Sequence, residues 1–316
     1  MVSRGEIRGL LTGFALVVAL LVIGASGPNL VPGQPLLQTL RFHLAGGLIV
    51  MAIALVLAGS RWRSLAFAAL AVVSLGQGAW IIYGQQQARS PLAEGQTLAT
   101  FDLMSFNILI YNNNGAAIAD MILSRSPDVV YLLEAAPIYG ELQRLNEVYP
   151  YHAGCVRQAT CDLIMLSKTP LNDIAIHSLS EFSPNRTIFA TTEIAGQPVN
   201  LVAVHMTKPY FDFAAEGEAF TLARYLEQLT GPVVVAGDFN AAPWSRTLQR
   251  LATNADLVHA PSYPTTWPTE AGDFGVPIDN VFTRSPATVE QVAAMADPMG
   301  SNHRGLVARI AIKQQQ

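Results

Sequence analysis

Apolar residues are spread unevenly along this chain, and that unevenness gives its first division. Three long runs without Asp, Glu, Lys or Arg lie near the start: Leu10–Ser26, Phe42–Gly59 with His43 at its edge, and Leu65–Gly84. Each has about the 17–20 residues that a helix needs to cross roughly 30 Å of hydrocarbon. Ser74, Gly76, Gln77 and Gly78 interrupt the third run. A helix packed on two neighbours tolerates such small and polar residues. A cleaved signal peptide would account for the first run alone, whereas two more follow it. The pattern predicts a membrane domain over 1–88 with three transmembrane helices.

Beyond these runs the period changes. Residues 85–100 (QQQARSPLAEGQTLAT) are mostly polar, contain Pro91 and Gly95, and read as a linker, placed at 89–100. Residues 101–316 form one domain of ordinary size. Within it, Phe101–Asn107, Val129–Leu133, Leu163–Leu166, Ile174–Leu179, Thr187–Ile194, Val199–Val204, Val233–Ala236, Ile278–Phe282, Val289–Ala293 and Leu306–Ile312 read as strands. Ala116–Ser126, Ile138–Glu147 and Ala214–Leu229 have helical spacing. Apolar strands mixed with helices imply a sheet core covered by helices. Many strands follow one another directly, so much of the sheet is antiparallel or mixed.

Charge adds an orientation. Arg4 and Arg8 precede the first run, Arg61 and Arg63 fill the turn between the second and third, and the first loop carries only Arg41. Lys and Arg favour the cytoplasmic side. The N-terminus is therefore expected inside, and everything after Gly84 outside, on a multi-pass protein of the cell's inner membrane. Trp62, Trp80 and Tyr83 stand near the run ends, where interfacial aromatics belong. Cys155 and Cys161 lie in the exported part, where a disulfide between them and two free thiols are both open readings. From Arg89 onward there are 14 Lys and Arg against 22 Asp and Glu, a net of −8. No basic run is present to neutralise a nucleic-acid backbone, so nucleic acid is disfavoured as a partner.

Polar residues recur where apolar strands end. Asn107 closes FDLMSFN, Glu134 closes DVVYLLE, His205 closes NLVAVH, and Asp238 and Asn240 end VVVAGDFN. Asp279 lies in PIDNVF and His303 in SNHRG. A strand end carries side chains out of a packed core into a crevice. Carboxylates there bind a hard divalent cation, a second carboxylate or a His activates water, and neutral donors stabilise phosphoryl oxygens. Taken singly, each residue is more often an ordinary surface group, and GDFN alone is compatible with a plain turn. Their combination points to phosphate-ester hydrolysis.

The stretches SFNI, PDVVYLLE, VNLVAVH, VVVAGDFNAAP, PIDNVF and SNHRG, in that order, resemble the endonuclease/exonuclease/phosphatase superfamily over about residues 102–312. The resemblance implies a four-layer αββα sandwich, deoxyribonuclease I-like, here following three transmembrane helices. It also implies roles. Glu134, with Asn107, would hold Mg²⁺ (or Mn²⁺). Asp238 would orient or deprotonate water, and Asn240 would bind a phosphoryl oxygen. His303 would pair with Asp279, and His205 would act on the phosphate or leaving-group side. The family usually has Asp before the last His, and this chain has Asn302. An amide oxygen ligates without bringing charge, which puts a second metal position in doubt.

Arg186 before a strand suits either a phosphate contact or an ion pair, and Asp162 is a candidate to orient His205. The segment Tyr263–Trp267 suits either the pocket wall or the core. With its membrane helices the chain is similar to a bacterial, membrane-anchored, VanJ-like branch, which implies a membrane lipid or lipid-linked phosphate or pyrophosphate as substrate. The competing readings are an exported phosphodiesterase (a nuclease or a sphingomyelinase-like phospholipase) and a catalytically decayed binding domain.

Overall fold

A computed structural model describes residues 3–30, 32–181, 183–209 and 213–314, with the backbone alone at 91–93. The chain divides into two compact units. One is Met1–Gly84 with Trp244–Arg246; the other begins at Gln85 and holds nearly all of the remaining chain.

The first unit contains α1 (Arg4–Ser26), α2 (Gln34–Thr39), α3 (Arg41–Leu57) and most of α4 (Arg61–Ala93). Ser3 and Glu6 form a reciprocal capping box at the start of α1. Ala15, Ala19 and Val22 of α1 pack with Leu48, Ala52 and Leu55 of α3 and with Phe67 and Ala71 of α4. Small side chains at four-residue spacing let such helices approach closely. Among the described residues two helices, α1 and α4, are long and apolar enough to cross a membrane, whereas α3 is apolar but has only 17 residues. The expected first loop contains α2, and Arg41 is a buried residue of α3 that donates to the Ala25 carbonyl and to Gln77.

The expected linker is not one. Helix α4 continues through Ala93, and β1 (Thr97–Asn107) begins four residues later. The polar side chains that suggested a linker are hydrogen-bonded within the second unit. Gln85 donates to the Pro243 carbonyl, Gln86 to that of Ala260, and Arg89 to that of Val289. A polar helix end satisfied in this way reads in sequence like a loop.

After β1 come α5 (Gly115–Arg125), β2 (Val129–Leu133), α6 (Leu142–Leu145), β3 (Tyr151–Gly154), β4 (Leu163–Ser167), β5 (Asn172–His177), β6 (Thr187–Ile194) and β7 (Gln197–His205). Then follow α7 (Ala214–Leu226), β8 (Val233–Asp238), α8 (Arg246–Asn254), β9 (Val258–His259), β10 (Asp279–Arg284), β11 (Ala287–Ala294) and β12 (Leu306–Lys313). The helix expected over 138–147 is a 3-10 turn at Ala136–Glu141 and one turn of α6, with Gly140 weakening the α pattern in between.

Two six-stranded sheets result, ordered β11-β12-β1-β2-β4-β3 and β5-β6-β7-β8-β10-β9. Phe101, Leu103, Tyr131 and Met165 of the first meet Ile188, Leu201, Val234 and Val281 of the second in one core. The alternate residues Met104, Phe106, Val130 and Leu132 face Ile118 and Ile122 of α5. On the opposite side Val202, Val204 and Val235 face Leu222 and Leu226 of α7 and Leu248 and Leu251 of α8. This period-two partition of apolar strands makes the four αββα layers. The pairs β1–β2 and β7–β8 are parallel and central, so their carboxyl ends open at one end of the sandwich.

Candidate active site

Strand register gathers the polar residues. Asn107 pairs with Leu133 across β1–β2, which puts Glu134 one residue beyond. His205 pairs with Asp238 across β7–β8, and Asp279 with Asp238 across β10–β8. The β7–β8 approach needs glycine at 237, where φ is +150° and an added Cβ would lie 1.8 Å from the Val204 carbonyl oxygen. Glu134 (φ +52°) and Asn240 (φ +50°) are left-handed residues just past strand ends. Such strained conformations turn the chain sharply and concentrate at functional sites.

The centre links Asn107, Glu134, Asp238, Asp279 and His303. Asn107 Nδ2 donates to Asp238 Oδ2 at 3.2 Å and to Glu134 Oε1 at 3.4 Å. Glu134 Oε2 accepts from the Ile110 amide at 2.8 Å. His303 Nδ1 is 2.9 Å from Asp279 Oδ2, and its Nε2 is 3.8 Å from Asp238 Oδ2. Asp238, Asp279 and His303 are all nearly inaccessible. Burial pushes the Asp238 carboxyl up, and the charge of Asp279 adds to this against the opposing pull of His303, His205 and the Asn240 amide. Burial acts to lower the His303 pKa, but the charges of Asp279 and Asp238, the hydrogen bond to Asp279 and the charge of Glu134 outweigh it and raise it to about 9.

A second group flanks the first. His205 Nδ1 is 2.8 Å from Asp162 Oδ2, and Arg186 Nη2 is 3.3 Å from Asp162 Oδ1. Burial raises the Asp162 pKa, but His205 and then Arg186 prevail and hold it below the ordinary carboxylate value. Arg186 thus makes the ion pair of its two expected readings. Asn240 receives its own orientation from the Met206 carbonyl, to which Nδ2 donates at 2.8 Å, while its backbone amide donates to Asp238 Oδ1. Asn302 follows Ser301, and its buried Oδ1 has no hydrogen-bond partner among the described residues. Cys155 and Cys161 are disulfide-bonded, in the loop that leads to Asp162.

Three supporting residues escape a reading based on strand ends. Ser301 Oγ donates to the Asn107 carbonyl and accepts from the His303 amide. Thr266 Oγ1 accepts from the Asp279 amide, so YPTTW buttresses the site, and Tyr263 from the same segment bonds Gln85. Glu218 of α7 is fully buried and accepts from Ser180 Oγ, Thr207 Oγ1 and the Thr207 amide, two residues after His205. A charge on the apolar face of α7, among Ala215, Ala219 and Leu222, was the signal that could have revealed it.

The site suits a hard divalent cation. Asp238, Asp279 and His303 each bring a ligand-type atom within 4.8 Å of the others. Glu134, Asp238 and Asp279 place carboxylates around one imidazole, and the unpartnered Asn302 Oδ1 adds a neutral oxygen. Buried negative charge in excess of its cationic partners calls for a counter-ion, and oxygen donors select a hard one.

A two-sheet sandwich with this crevice is a deoxyribonuclease I-like fold, a scaffold of phosphoester hydrolases. The chain belongs to the endonuclease/exonuclease/phosphatase family, whose profile matches residues 104–303. Members of the family are typically metal-dependent phosphoester hydrolases. Comparison with curated proteins gives no sequence match. Solved structures share the fold. The human nocturnin catalytic domain with bound sulfate anion is 18% identical, with TM-score 0.56, covering 69% of this chain and 96% of that one. TDP2 from D. rerio complexed with single strand DNA product is 17% identical, with TM-score 0.55, covering 67% and 98%. A beta toxin variant from Staphylococcus aureus with bound magnesium ions is 13% identical, with TM-score 0.52, covering 66% and 98%.

Proposed function

We propose that this protein is a membrane-anchored, metal-dependent phosphohydrolase that acts outside the cytoplasm on lipid-linked phosphate or pyrophosphate. The observation that carries the chemistry is the crevice itself, where Glu134, Asp238 and Asp279 surround His303. The membrane part rests on the length and apolarity of α1 and α4 and on the placement of Arg4, Arg8, Arg61 and Arg63. Substrate choice rests on anchoring, which brings a lipid phosphate to the site in the plane of the membrane, and on the acidic charge beyond Arg89, which disfavours nucleic acid.

Glu134, Asn107 and the neutral Asn302 would hold Mg²⁺ or Mn²⁺. Such an ion supplies charge neutralisation on phosphoryl oxygens. Asp238, oriented by Asn107 and raised in pKa, is suited to take the proton of the attacking water. The water oxygen bonds to phosphorus as the bond to the leaving oxygen breaks. Asn240 donates to a phosphoryl oxygen, and the imidazolium of His303 balances charge there, fixed by Asp279. His205, held by Asp162, serves the leaving-group side.

The test uses full-length protein in detergent, with and without Mg²⁺, beside His303→Ala. Inorganic phosphate release from a polyprenyl pyrophosphate is followed together with DNA cleavage. Metal-dependent phosphate release that His303→Ala abolishes is the expected result. DNA cleavage without phosphate release would replace this reading with that of an exported nuclease. Inactivity on both substrates would reject it in favour of a phospholipid diesterase or a non-catalytic domain.

A further inference from the structure

We propose that the cleft between the start of α1 and the end of α3 binds the headgroup of an anionic phospholipid, a site separate from the catalytic crevice. The proposal rests on the reading that these helices lie in a membrane. The cleft measures roughly 480 Å³ and is lined by Arg4, Ile7, Arg8 and Leu11 on one side and by Ala54, Leu57, Ala58 and Gly59 on the other. Its wall is therefore apolar but for two arginines, both on the α1 side. Leu57 is 83% exposed and Ile7 42% exposed, with no protein layer over them.

The charge has no internal answer. Glu6 is the only acid in the first 88 residues, and its carboxylate accepts from the Ser3 amide in the capping box. No carboxylate lines the cleft. Among the described residues neither Arg4 nor Arg8 has an ion-pair partner. Arg8 donates through Nε to the Ala58 carbonyl, at the cap of α3. Gly59, with φ +80°, leaves the room this requires, since an added Cβ would lie 2.5 Å from Arg8 Nη2. The guanidinium is thereby held at the cleft wall. A phosphodiester between Arg4 and Arg8 would receive charge-assisted hydrogen bonds. Its acyl chains would run along Leu11, Ile7 and Leu57. A free phosphate would satisfy the arginines but leave the apolar wall bare, so the chemistry selects a lipid.

Full-length protein in detergent is titrated with phosphatidylglycerol, and bound lipid is counted by native mass spectrometry. Phosphatidylcholine and sn-glycerol 3-phosphate run in parallel. One tightly held phosphatidylglycerol, not displaced by sn-glycerol 3-phosphate, is expected. Arg4→Gln with Arg8→Gln should weaken binding about ten-fold. Arg4→Gln alone, which keeps the Arg8 cap on α3, should weaken it about three-fold. Arg61→Gln with Arg63→Gln removes the same charge outside the cleft and should leave binding unchanged. Equal losses in the two pairs, or no preference over phosphatidylcholine, would overturn the proposal. Release of the protein from membranes by alkaline carbonate would instead overturn the anchoring reading, and this site with it.

Discussion

His303 Nδ1 lies 2.9 Å from Asp279 Oδ2, and this contact, with the charges of Asp238 and Glu134, favours the protonated imidazole against the opposing effect of burial. It leaves Nε2 pointing into the crevice toward Asp238. Removing the ring by His303→Ala should lower kcat by about 10²–10⁴-fold, the usual range for a positioned acid or base. Asp279→Asn should cost less and should shift the alkaline limb of the kcat/KM profile to lower pH, since the imidazolium loses its main support. Steady-state phosphate release across pH 5–10 checks both. An unshifted alkaline limb would show that His303 titration does not govern the rate.

The same pair sets a stability window in metal-free protein. The His303 pKa is raised to about 9, above the ordinary value of 6.5. A raised pKa means the folded state binds the proton more tightly, so this stabilisation is complete below about pH 6.5 and is lost as pH rises through about 9. Urea midpoints in EDTA should fall across that interval, and the fall should be smaller in Asp279→Asn.

Glu134 provides the test of metal binding without turnover. Its Oε2 is fixed by the Ile110 amide, and Asn107 braces Oε1. Glu134→Gln should weaken Mn²⁺ binding by at least ten-fold in titration calorimetry while leaving the circular dichroism spectrum unchanged. Undiminished affinity would move the ion to Asp238, Asp279 and His303 alone.

Glu218 acts at one remove. Its carboxylate accepts from Thr207 and Ser180, and the neighbouring Met206 carbonyl holds the Asn240 amide. Glu218→Gln places an amide where only donors point, so it should lower kcat roughly ten-fold with KM little changed, through a misplaced Asn240. Glu218→Asp should recover part of the loss. A change confined to the thermal midpoint would reduce Glu218 to a purely structural group.

Gly237→Ala should be among the most damaging single changes. Its Cβ would meet the Val204 carbonyl at 1.8 Å, between the two strands that carry His205 and Asp238. Steric overlap with backbone has no flexible end to yield, so a loss of at least about 2 kcal/mol is expected. Thermal denaturation of the detergent-solubilised protein measures it.

The strands that carry the site were readable in sequence because each is a short apolar run closed by one polar residue, as in DVVYLLE and VVVAGDFN. The His303–Asp279 pair is readable through motif order, whereas Asp162 lies outside every motif and stands in sequence only as a candidate to orient His205. What failed had a physical cause. The polar end of α4 satisfies itself on distant carbonyls, which leaves no local mark that separates it from a linker. Gly140 interrupts a helical period that its apolar neighbours imitate. Glu218 and Thr266 work through backbone amides far off in sequence, a relation that exists only once the sheets have packed.

Strand β12 lies beside β1 in the middle of its sheet, although roughly two hundred residues separate them in the chain. During synthesis, β1 therefore waits with one edge unpaired until β12 has emerged. His303 lies just upstream of the strand that closes this edge, with Arg304 and Gly305 between them. A nascent chain thus lacks the complete site until β12 docks, and it is vulnerable to edge-to-edge association for the same interval. Folding of this protein should depend on a holding chaperone more strongly than its final stability would suggest.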